Sequence, residues 1–148
     1  MPLSLLLLSH RNSTMSKKTP LGLANEFRLL GLSLVGLDPK PGNSVNVQDR
    51  RFREHYGPGW NTVAKLWEAL VEAEKQSESS NAVAKLKKKH LLWCLYFMKV
   101  YSVEGVGAAR FGIDRKTYVK WVWVYIKKVS SLTPHFVSYF SFFNCCLL

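Results

Sequence analysis

Lys116, Lys120, Trp123 and Lys127 follow one another at spacings of four, three and four residues. At roughly 100° per residue they fall in one narrow sector of a helix, so that one face carries three ammonium groups and an aromatic ring. A row of cations at that pitch suits pairing with a polyanion, because each ammonium that meets a phosphate releases a condensed counterion. Tyr118, Val122, Tyr125 and Val129 fall in the opposite sector and are expected to face a core.

The element that must hold these residues is the stretch 102–128, SVEGVGAARFGIDRKTYVKWVWVYIKK, which reads as two helices joined by a tight turn. Gly112 can take the left-handed conformation that ends the first helix, and Asp114 can cap the second by accepting from its free N–H groups. Ala108 and Ala109 are small where the two helices must approach. Gly105 and Gly107 cost the first helix about 1 kcal/mol each relative to alanine; close contact with the preceding helix is the expected reason for them. This is the grammar of a helix-turn-helix whose second helix enters a major groove. Lys116, Lys120 and Lys127 are then expected at phosphates or base edges, with Arg115 at the helix start placed for either. Arg110, Lys128 and the run Lys87, Lys88, Lys89 are expected as auxiliary phosphate contacts. Trp123 is open to two readings, stacking against the nucleic acid or burial by a neighbouring segment.

Composition agrees with a polyanionic partner. The 148 residues are 47% hydrophobic, which supports one packed domain rather than disorder, and carry a formal charge of +11. Residues 82–133 hold eleven Lys plus Arg against Glu104 and Asp114, or 11 − 2 = +9, so the field centres on the helix-turn-helix and the helix before it. Cys94, Cys145 and Cys146 form neither a disulfide framework nor a zinc spacing, and a reducing intracellular compartment is expected. His90 and Cys94 share a helix face, but no second pair completes a metal site, and no cofactor is expected.

Taken in order, residues 1–45 read as a poorly ordered extension. The apolar run at Leu5 to Leu8 is too short and lacks the preceding cation of a signal peptide, and Met15 is a candidate natural start. The segment LGLANEFRLLGLSLVGL is weakened for helix and strand alike by its glycines. Pro39, Pro41, Gly42 and Asn43 mark a linker. VNVQDRRFREHY is expected as a short basic helix closed by Gly57 and Pro58, followed by a helix capped at Asn61 or Thr62 that buries Val63, Leu66, Trp67 and Leu70. From Ala82 the chain is expected to be helical through the lysine run into HLLWCLYFMKVY, apolar nearly all round. Such a helix belongs in the middle of a bundle, as the spine for the Trp67 helix and the helix-turn-helix, with Trp93, Leu95, Tyr96 and Met98 in the core. Residues 134–148 read as an apolar tail outside the domain. They are too short and too polar to span a membrane, although Cys145 to Leu148 match a prenylation pattern.

Several of these pieces, RRFREHYG, VAKLWEAL, LKKKHLLWCLYFMKVY, FGIDRKTYVKWVW and SSLTP, occur in an order that resembles the amino-terminal region of transposases of the Harbinger-like DDE superfamily. The resemblance covers about residues 50–134. It implies a helix-turn-helix that binds transposon ends, followed in such proteins by an RNase H-like domain whose three carboxylates hold divalent metal. The chain departs from that pattern after Asp114, beyond which no Asp or Glu occurs, so strand cleavage is not expected and neither is enzymatic activity of another kind.

The expectation is an all-α protein: a small helical bundle over residues 46–133 that contains a helix-turn-helix at 102–128. It is expected to bind double-stranded DNA, at transposon ends or derived sites, in the nucleus and without cutting it. The alternatives are a basic module that docks on an acidic partner or a full-length transposase, with a second copy as a further expected partner, and peripheral attachment to an anionic membrane.

Overall fold

The computed structural model describes residues 20–37, 42–77 and 85–132, and these are almost entirely helical. Among the described residues six helices follow in order: α1 (Pro20–Leu34), α2 (Val45–Tyr56), α3 (Trp60–Gln76), α4 (Lys88–Val100), α5 (Glu104–Arg110) and α6 (Arg115–Ser131). The all-α expectation holds.

α4 is the spine. His90, Leu91, Leu92, Trp93, Cys94, Leu95 and Tyr96 are all buried in sequence, which leaves no wet face over two turns and requires neighbours on every side. Those neighbours are α6, α2, α1 and α5. The lysine run does not continue this helix as expected. Residues 86 and 87 break from helical form, and Lys87 caps α4 in extended conformation, φ −130°, ψ 128°. The break is fastened by the Tyr125 hydroxyl, which accepts from the Lys87 N–H at 2.8 Å and donates to the Lys87 carbonyl at 3.0 Å.

Over residues 20–37, α1 departs from the expectation of an ill-ordered extension. Leu23, Ala24, Phe27, Leu32 and Val35 are buried, and Phe27 is completely so. Gly31 has a packing purpose. A Cβ placed there would run into the Phe52 ring, so the glycine lets α2 approach, and the Tyr56 hydroxyl donates to the Gly31 carbonyl at 2.7 Å. Burying Phe27, Phe52 and Tyr56 contributes about 2–3 kcal/mol each, more than the glycines cost. α1 closes on Gly36 at φ 72°, where the Leu37 N–H returns to the Leu32 carbonyl at 2.8 Å.

α3 also departs from expectation. It begins at Trp60, with Gly59 in the cap position rather than Asn61 or Thr62, and Trp60 is buried edge-on against Phe52 at 5.7 Å. α3 packs along α1 instead of the spine, through a T-shaped contact of Trp67 with Phe27 at 5.9 Å. α2 starts as anticipated, within one residue, with Ser44 accepting from the Val47 N–H at 3.3 Å. The signal-like run of residues 1–14, the linker prolines and the apolar tail 134–148 with its Cys145 and Cys146 lie outside the described residues. Among the described residues no helix is long and apolar enough to cross a membrane.

Candidate nucleic-acid interface

The site is built on α6, and what aims it is the turn before it. α5 ends with the Ile113 N–H returning to the Ala108 carbonyl at 3.1 Å and the Gly112 N–H to Ala109 at 3.1 Å, with Gly112 at φ 62°. That pairing satisfies the last carbonyls of the short helix and needs a residue without Cβ strain at Gly112. Asp114 then accepts from the Thr117 N–H at 3.1 Å and starts α6. Both features match the expectation from the Gly-Ile-Asp sequence. Arg115 joins the two helices from outside, its guanidinium donating to Glu104 at 2.8 and 3.2 Å.

The inner face of α6 holds Tyr118, Val122, Tyr125 and Val129, each 0–2% exposed. They pack on the spine in two clusters: Tyr118 and Val122 with Trp93 and Ala108, Tyr125 and Val129 with Leu91, Leu92 and Leu95. Gly107 answers to this packing. A Cβ there would meet the Tyr118 ring and hydroxyl at 2.6–2.7 Å, so its close partner is α6 and not the spine, while Gly105 has nothing within 4 Å. Of the two alanines, Ala108 is buried and Ala109 is exposed.

The outer face carries Lys116, Lys120 and Lys127, all exposed, and Trp123 at 49% exposure. From Lys116 to Lys127 the row spans about 16 Å at 1.5 Å per residue. None of the three lysines is ion-paired among the described residues, and the Lys120 ammonium lies 5.5 Å over the Trp121 ring on its own helix.

The other expected contacts divide. Lys128 is half-buried and paired with Glu74 of α3, and Lys88 is paired with Glu26 of α1 beneath the Phe27 ring. Arg110 donates to the Val35 carbonyl at 2.8 Å. These three cations tie α6, α4 and α5 to the rest of the bundle, and Arg115 is engaged by Glu104. Lys87 and Lys89 are exposed, the latter 5.5 Å over Trp93. The structure thus brings Lys116, Lys120, Trp123 and Lys127 together. It also places Phe97 6.4 Å from Trp123, with Tyr101 stacked on Phe97. Phe97 and Tyr101 went unnoticed as site residues, although their spacing of four at the end of the spine is visible in the sequence.

His90 and Cys94, which share a helix face, both point into the core. His90 stacks on Trp121 at 4.2 Å, and burial, with Lys89 and Lys87 adding to it, lowers its pKa to about 4. Burial pushes the Cys94 thiol up to about 12. Both act as packing groups in this arrangement. Tyr118 and Tyr125 are likewise raised to about 12, burial being the main cause.

No family model, no curated protein and no solved structure matches this chain. The likeness to Harbinger-like transposases rests on the sequence pieces alone.

Proposed function

We propose that this protein binds double-stranded DNA through the outer face of α6, as a transposase-derived recognition module that holds DNA in the nucleus without cutting it. The observation that carries the reading is the exposed row Lys116, Lys120, Lys127, unpaired within the described residues, on a helix whose opposite face is fully sunk in the core. A capped helix anchored on one side offers its other side at fixed orientation, as groove insertion requires.

The test is a duplex titration over a range of salt. With these lysines engaged and Lys87 and Lys89 in reach of phosphates, log affinity should fall against log salt with a slope between about −3 and −5. Replacing Lys116, Lys120 and Lys127 together by alanine should flatten the slope by about 2.7, at 0.9 per phosphate contact. An unchanged slope in that variant, or no duplex binding by the native chain, ends the proposal. Capture of an acidic protein that survives nuclease treatment, in place of DNA, decides for the protein-docking alternative.

A further inference from the structure

Beside the lysine row lies a ridge of rings that duplex binding leaves unused. Tyr101 stacks on Phe97 with centroids 6.3 Å apart and planes 20° apart, and Phe97 lies 6.4 Å from Trp123. Tyr101 is 76% exposed, more than Trp123, so burial gives little reason for its ring to be there. The backbone gives a reason against it. Tyr101 closes α4 at φ 53°, ψ 33°, its N–H bonded to the Phe97 carbonyl at 2.9 Å. That is the left-handed conformation in which glycine would make the same bond free of Cβ strain. A bulky aromatic kept at a glycine position, unburied, marks a ring with something to meet.

Charge chooses the occupant. A second copy seated on this ridge about a two-fold axis would bring its own lysine row against Lys116, Lys120 and Lys127, cation against cation. An acidic peptide would satisfy the lysines and leave the rings uncovered. Nucleic acid with an unstacked base satisfies both, presenting a flat π-face to the rings and a phosphate to the lysines of the same helix.

We infer that Phe97, Tyr101 and Trp123 form a stacking platform for a nucleobase displaced from the duplex that α6 holds. This rests on the duplex reading and narrows it: the DNA bound best carries an unpaired base beside the contacted groove. Phe97 is the inner support, and Tyr101 and Trp123 offer the exposed rings.

The experiment uses the full chain and two probes, a perfect duplex and the same duplex with one unpaired 2-aminopurine. The native protein should bind the second about tenfold tighter, within the range that base–aromatic stacking supplies, and quench the 2-aminopurine fluorescence. The double variant Tyr101→Gly, Trp123→Leu should bind both probes alike and show no quenching. Tyr101→Gly keeps the helix closure and relieves its strain, so a melting temperature at or above the native value separates loss of the ring from loss of fold. Equal affinity of the native chain for both probes, with the salt slope intact, overturns the platform and leaves duplex binding standing. No binding of either probe overturns both. A tenfold preference retained by the double variant, or a native dimer that this variant dissociates, also overturns the platform.

Discussion

At the scale of single residues, the two glycines of α5 separate sharply. Gly107→Ala sets a methyl 2.6–2.7 Å from a Tyr118 ring that is fully buried. Overpacking of this kind costs about 1–3 kcal/mol, more than the gain in helix propensity returns. Gly105→Ala meets open space and should stabilise by up to about 1 kcal/mol. Chemical denaturation of the two variants checks both signs. Titration offers a second residue-scale outcome. The folded pKa of His90, about 4, lies below the ordinary imidazole value of about 6.5, so between those values the unfolded chain binds a proton that the folded chain refuses. Stability is therefore complete above about pH 6.5 and should decline by about 1.4 kcal/mol per pH unit down to pH 4. His55, lowered mainly by burial, adds in the same direction. His90→Phe should flatten that decline in melting temperature against pH.

At the scale of elements, two classes of cation are distinguishable by experiment. Lys128 and Lys88 fasten α6 and α4 to α3 and α1, and their carboxylate partners are partly buried. Lys128→Ala leaves Glu74 without its counter-charge and should cost about 1–3 kcal/mol in stability while leaving the salt slope of DNA binding unchanged. The triple change on the outer face of α6 should do the reverse. Asp114→Ala removes the cap bond to Thr117 and should cost about 1 kcal/mol, with Asp114→Asn close to neutral. Elements whose signals are local were legible in the sequence: the Gly112 closure, the Asp114 cap, the two faces of α6 and the spine. α1 was not, because its glycines argue against a helix until Phe52 is known to sit over Gly31, a contact that crosses 21 residues of chain. Lys128 and Arg110 look like their neighbours in sequence, and only the positions of Glu74 and the Val35 carbonyl show where they are spent.

At the scale of the whole molecule, the bundle includes more chain than its charge pattern suggests. Phe27, Leu32 and Val35 belong to the main core, and α1 with the turn after it supplies the Gly31 carbonyl to Tyr56, the Val35 carbonyl to Arg110 and Glu26 to Lys88. A chain beginning at residue 46 loses these apolar side chains and leaves Phe52 and Tyr56 uncovered. It should lack the cooperative thermal transition of the full chain, and circular dichroism will show this directly. The lysine-bearing helix α6 is in this sense supported by the described element farthest from it in sequence. The clasp of Tyr125 around residue 87 has one more consequence. That amide belongs to no helix and its side chain is exposed, yet its proton is held by a phenol rooted in the fully buried face of α6. In deuterium oxide it should exchange at the slow pace of the deep interior and not at the pace of a loop, reporting each opening of α6 from outside that helix.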